Sequence, residues 1–182
     1  RSEDIHKELS SIEFCLGNRE KALRWLDNGL SESHLKNNLT LMRKKLMYLY
    51  FEGETSEKEK LISDILCKTD EQENLRQKAV SWAICGKGYV IDGKYAEGMH
   101  ILRKSIDVFE KQHNVNYLAF ALDGMLAGWM GMNAWEKARE TWEKMKSLDV
   151  KMELVSYFAS VYLLIVGEYE EALWKARFAI LG

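Results

Sequence analysis

Ser81–Ile106, SWAICGKGYVIDGKYAEGMHILRKSI, reads as two amphipathic helices joined by a tight Gly93-Lys94-Tyr95 turn. Trp82, Gly86, Tyr89, Gly93 and Tyr95 step by 4, 3, 4 and 2 residues. The first steps keep side chains on one helical face, and the glycine then breaks the helix. Similar turns occur at Gly17, Gly53, Asn133 and Gly167, so the five are spaced by 36, 40, 40 and 34 residues. Two residues after the turn stand Arg19, Tyr95, Trp135 and Tyr169; five after it stand Ala22, Gly98, Ala138 and Ala172. A small residue at the second place lets one helix lie close on its predecessor, and an aromatic at the first fills the space beside the turn. The Gly53 unit fits least, because Lys58 holds the small-residue position. A helix pair recurring at this period is the mark of a helical solenoid.

Apolar stripes fill the rest of the chain. Ile5, Leu9, Ile12 and Leu16 predict a first helix ending at Gly17, and Ala22, Leu23, Leu26 and Leu30 a second folded back on it. Further helices are expected over Leu39–Phe51, from Thr55 or Ser56 through Leu66, and from Leu75 to Ile91. The polar stretch Lys68–Asn74 reads either as a loop or as the exposed start of that last helix. Ala96–Phe109, Leu118–Met130, a Glu/Lys-rich helix after Trp135, Leu154–Val166 and Tyr169–Leu181 complete the series.

Composition agrees. The 182 residues are 47% apolar and 30% charged, enough for a sizeable core. Proline is absent, where average usage of about 5% would give roughly nine. This argues against Pro-rich linkers and all-β turn chemistry and for an all-α chain. With 26 basic against 28 acidic residues, no net field points to nucleic acid or an anionic membrane as a direct partner. The longest apolar run, Leu154–Val166, has 13 residues, short of the about 20 a spanning helix needs. Cys15, Cys67 and Cys85 are isolated in helical patterns and are expected to be buried free thiols of a cytoplasmic protein.

The stretch 79–112 supplies Trp82, Gly86, Tyr89, Gly93, Tyr95, Gly98 and Leu102, and in this it resembles a tetratricopeptide repeat. Cys85 and Ser105 depart from the family's usual Leu and Ala, and its terminal proline is missing throughout. The turn and second helix recur as Asn133, Trp135, Ala138 and Trp142, and as Gly167, Tyr169, Ala172, Ala176 and Ala179. The resemblance implies an all-α, right-handed superhelical solenoid of about five antiparallel helix pairs. The repeats fall at 3–36, 39–72, 79–112, 119–152 and 153–182, in one domain. The chain starts at Arg1 rather than Met and is read as a piece of something longer.

Nothing in the sequence points to catalysis, a metal or a cofactor. His6, His34, His100 and His113 are scattered, and no cysteine pair has zinc spacing. Gly86-Lys87-Gly88 lacks the surrounding frame of a phosphate loop.

If the family's arrangement holds, the concave groove is lined by the first helices. Facing it would be Lys7 and Ser11; Arg43, Lys44 and Met47; Ala83 and Lys87; Phe120 and Asp123; and Tyr157, Phe158 and Val161. Such a groove is basic early and aromatic late, and suits a peptide or protein segment with acidic and apolar groups. The competing reading of Tyr157 and Phe158 is simple packing. The family's Lys/Asn/Arg clamp for chaperone tails is incomplete. Leu173, Trp174, Phe178, Ile180 and Leu181 leave the last helix without a polar cap, which points to a continuing chain or a homodimer. Two functions follow: a protein–protein interaction module, or the peptide-sensing domain of a bacterial transcription regulator whose DNA-binding domain is absent from this chain.

Overall fold

The computed structural model describes residues 2–50, 55–148 and 156–181. These residues form ten α-helices and no strand. The expected Gly53 turn, Phe51 and the side chains of Phe178, Ile180 and Leu181 lie outside the described residues. The chain divides into two compact units, Arg1–Glu71 and Gln72–Gly182.

The first unit holds α1 (Ser2–Cys15), α2 (Arg19–Ser31), α3 (Leu39–Leu49) and α4 (Ser56–Asp70). Each helix packs on the next, and α1 also touches α3. Ala22, Leu26, Leu35, Leu41 and Tyr48 form a core, with Phe14, Leu23 and Leu30 against it. Phe14 stacks on Tyr48 with ring centres 4.1 Å apart. Lys45 ties three helices together: its Nζ lies 2.5 Å from Asp27 of α2 and 2.5 Å from Glu57 of α4.

The second unit holds α5 (Leu75–Ile91), α6 (Tyr95–Lys111), α7 (Val115–Gly131), α8 (Trp135–Lys146), α9 (Ser156–Val166) and α10 (Tyr169–Leu181). Here α5 packs on α6, α6 on α7, α7 on α8 and α9 on α10, while α7 also touches both α5 and α9. Within this unit the odd-numbered helices therefore form a row of their own.

The turns share one geometry. Gly17 and Gly93 have φ of +78°, Asn133 +55° and Gly167 +90°. After each, an amide reaches back five residues: Asn18 to the Glu13 carbonyl at 2.8 Å, and Lys94 to Tyr89, Ala134 to Trp129 and Glu168 to Leu163 at 2.9 Å each. This is the left-handed close that satisfies a helix's last carbonyls. His113, with φ of +50°, repeats it between α6 and α7, where Asn114 reaches back to Phe109 at 2.9 Å.

Three details differ from expectation. α7 begins at Val115 rather than Leu118, because the Leu118 amide already donates to the Asn114 carbonyl at 2.9 Å. Over 68–74, α4 continues to Asp70, a turn follows, and Asn74 caps α5 by accepting from the Gln77 amide at 3.1 Å. Cys85 is buried, but Cys15 and Cys67 are exposed. On α1 the expected apolar stripe itself is exposed at Ile5, Ile12 and Leu16, with His6 and Ser10 buried in its place, and Cys67 stands on the side of α4 opposite the buried Leu61, Ile62 and Ile65.

The small-residue positions are all interior: Ala22 and Ala138 are fully buried, Ala172 and Gly98 nearly so, and Lys58 is fully buried at the matching place in α4. Between α5 and α6 the approach is backbone to backbone. A Cβ on Gly98 would stand 2.7 Å from the Gly86 carbonyl oxygen and 2.9 Å from the Val90 amide nitrogen. Backbone cannot yield as a side chain does, so Gly98→Ala should cost about 1–3 kcal/mol or more. Urea unfolding should show a lower midpoint than wild type; an unchanged midpoint would mean that α5 and α6 are not in backbone contact.

Candidate functional site

In the second unit, four of the residues expected in the groove converge. Lys87 on α5 places its Nζ 2.5 Å from Asp123 Oδ2 on α7. The same ammonium sits 4.4 Å from the centre of the Phe120 ring and 5.3 Å from that of Phe158 on α9. Lys87, expected to face a ligand, is instead 7% exposed and engaged with Asp123. The reason is geometric: α5 and α7 pack side by side, so residues 36 apart meet. Ala83, on the same side of α5, is also buried.

Asp123 is almost wholly buried, and burial pushes its carboxyl above the ordinary value of 3.8 despite the opposing pull of Lys87. Its Oδ1 has no hydrogen-bond partner among the described residues, while the Ala159 amide, in the first turn of α9, helps to hold the carboxyl's charge. A helix N-terminus favours negative charge there. The pair and its aromatic cover thus join α5, α7 and α9. What stays open beside it is aromatic: Tyr157 is 49% exposed and meets Phe158 edge-on at 5.1 Å. Phe120, Phe158 and Val161 are half-buried.

The first unit brings together Lys7, Ser11 and Lys44. Lys44 Nζ donates to Ser11 Oγ at 2.5 Å and lies 5.7 Å from the Tyr48 ring centre. Burial lowers the Lys44 pKa below the usual lysine value, the charge of Glu8 opposes that shift, and the neighbouring Lys7 adds to it. Tyr48, which faces Ser10 and Ser11, is itself pushed up by burial. Lys7 has only loose contacts, 3.6 Å to both Asp4 and Glu8. Arg43 is 8% exposed, with its Nε donating to the Leu39 carbonyl at 3.0 Å, so it stands apart from this cluster. Met47 is exposed.

One polar cluster escaped the sequence reading. His6 Nε2 and Glu32 Oε1 are 2.7 Å apart, and Ser2 Oγ donates to Glu32 Oε2 at 2.7 Å. Hydrogen bonds from His6 and Ser2 hold the Glu32 carboxyl below its usual range. This ties the start of α1 to the end of α2. Among the described residues no His/Cys/Asp/Glu group could hold a metal, and no helix is long and apolar enough to cross a membrane.

Two clefts were also invisible in the sequence. One, of about 310 Å³, lies between α8 and α9 and is lined by Trp135, Glu136, Arg139, Tyr162, Ile165 and Val166. The other, of about 230 Å³, lies between α1 and α2 beside Trp25, Arg24 and Lys21. None of the residues expected to bind lines either one. On α9 and α10, Leu164, Ile165, Val166, Tyr169, Leu173 and Trp174 are exposed.

Compared with models of known families, with curated proteins and with solved structures, the chain matches none.

The buried pair makes a double-mutant test. Lys87→Met or Asp123→Leu alone should cost about 3–5 kcal/mol, because each strands a buried polar partner, whereas the double variant should be close to neutral. Wild type should lose stability relative to the double variant as pH rises from about 4 through the raised Asp123 value, since folding there holds a proton that the unfolded chain releases. Additive losses in denaturation curves would show that the two groups do not pair.

Proposed function

We propose that the chain is a non-catalytic helical-repeat interaction module, arranged like tetratricopeptide repeats, that holds a peptide or protein segment on α7 and α9 of its second unit. The observation that carries the reading is the aromatic surface of the second unit. Tyr157 is half exposed, and with Phe120 and Phe158 it sits on the side of α7 and α9 where Lys87 and Asp123 have already neutralised each other. A surface of rigid aromatic faces without an unpaired charge suits the apolar anchors of a segment. The repeated turns and buried small residues support the solenoid arrangement, and the exposed free thiols Cys15 and Cys67 fit a reducing, cytoplasmic setting.

The test is selection of phage-displayed random 12-residue peptides on the wild-type chain, with the enriched sequences titrated by fluorescence anisotropy. A consensus with apolar anchors should emerge, and Tyr157→Ala should weaken its binding about tenfold or more with helicity retained. Selection that enriches no consensus, or binding indifferent to Tyr157→Ala, contradicts the reading.

Exposed Leu164, Ile165, Val166, Tyr169, Leu173 and Trp174 favour a second contact, self-association through α9 and α10. Light scattering across a concentration series should show a dimer that Leu173→Lys with Trp174→Lys converts to monomer. A wild-type monomer at every concentration removes this contact.

A further inference from the structure

The cleft between α8 and α9 brings together groups that the aromatic surface of α7 and α9 does not use. α8 and α9 meet at Trp142 and Tyr162, whose ring centres lie 6.0 Å apart. Beyond that contact the helices part over Trp135, Glu136 and Arg139 at the start of α8 and Ile165 and Val166 at the end of α9. Glu136 and Trp135 stand three and four residues before Arg139, spacings that put all three along one side of α8. The volume of about 310 Å³ is at the lower end of the cavities that take a small molecule, about 300–1,000 Å³. Three polar groups stand on its apolar walls without a partner. Tyr162 is 4% exposed, yet its hydroxyl makes no hydrogen bond to any described residue. That oxygen is not sealed from solvent, so it opens on the cleft that the residue lines. Burial raises the phenol's pKa above its ordinary 10.0 against the pull of Arg139, so the group is a hydrogen-bond donor at neutral pH. Arg139 and Glu136 form an ion pair neither with each other nor with any other described residue, whereas Lys144 and Lys146 of the same helix pair with Glu110 and Glu143.

We propose that this cleft binds a free amino acid with an apolar side chain. One cation, one anion and one neutral donor around apolar walls match the parts of such a zwitterion. Arg139 takes the α-carboxylate through its forked N–H donors, and the Tyr162 hydroxyl donates a further bond to it. Glu136 takes the α-ammonium, while Trp135, Ile165 and Val166 receive the side chain. A simple acid would set a second carboxylate against Glu136, and a simple amine would set a second cation against Arg139; like charges brought together select against both. A residue inside a peptide carries neither charge. The site is therefore separate from the aromatic surface on which a segment is held, and stands or falls without it.

The indole N–H NMR signal of Trp135, assigned by its loss in Trp135→Phe, reports on the site in the intact chain. L-phenylalanine and L-leucine are titrated in at constant ionic strength, beside hydrocinnamate, phenethylamine and N-acetyl-phenylalanine amide, which lack the ammonium, the carboxylate and both charges. Because Ile165 and Val166 also lie on the face proposed for self-association, the variant Leu173→Lys with Trp174→Lys is titrated alongside wild type. At least one amino acid should shift Trp135 saturably while Trp25, in the first unit, stays still, and each analogue should bind about tenfold or more weakly. Arg139→Met and Glu136→Gln should each weaken the amino acid about tenfold. Tyr162→Phe should weaken it about threefold or more and leave the urea midpoint unchanged, since the hydroxyl it removes has no partner in the fold. The proposal is overturned if neither protein shows a saturable shift, if an analogue binds as tightly as the amino acid, or if binding is indifferent to Arg139→Met. Tyr157→Ala should leave amino-acid binding intact, so loss of peptide binding alone tells against the module and not against this site.

Discussion

An ammonium group removed from water must find an anion, aromatic faces, or both, and this constraint organises the row of α5, α7 and α9. Lys87 has Asp123 on α7 at 2.5 Å and the rings of Phe120 and Phe158 over it. Because Asp123 also faces the first turn of α9, one buried pair positions three helices. Such a pair contributes less to net stability than to uniqueness of arrangement, since an apolar pair could fill the same space. It joins α5 to α7 beneath an aromatic ring of α9. The tight α5–α6 contact at Gly86 and Gly98 does the complementary work, fixing how closely each helix lies on its sequence neighbour.

The same constraint separates the two candidate surfaces. Where the inward cation is neutralised internally, at Lys87, the neighbouring surface is left aromatic and without unpaired charge. At Lys44 the ammonium has instead the Ser11 hydroxyl and the Tyr48 ring. Lys45, one residue further on, shows that α3 is able to satisfy a half-buried lysine fully when carboxylates stand on both sides. The contrast between adjacent residues makes the environment of Lys44 specific to its face of the helix.

The all-helical fold and the turns were legible because they rest on local rules: 3.6-residue periodicity, and the need for a left-handed residue at Gly17, Gly93, Asn133 and Gly167. Even Asn133, the one non-glycine among them, is a residue type that tolerates that conformation. The partners of the site residues were not legible. Lys87 and Asp123 stand 36 residues apart and meet only because α5 and α7 pack side by side. Lys44 and Lys45 look alike in sequence, but one residue of helix rotates a side chain by about 100 degrees, enough to trade carboxylates for a hydroxyl. His6 and Glu32 join the ends of two helices whose relative offset no periodicity reveals. The expectation for Cys15 and Cys67 failed because spacing does not say which face is covered: Ile5, Ile12 and Leu16 of α1 are exposed while His6 and Ser10 are buried, and Cys67 lies across α4 from its buried side.

The most direct test of the account is amide hydrogen exchange of the whole chain with and without a saturating display-selected peptide. The account predicts added protection on α7 and α9, with α6 and α8 unchanged. Protection concentrated on α6 and α8 would contradict it.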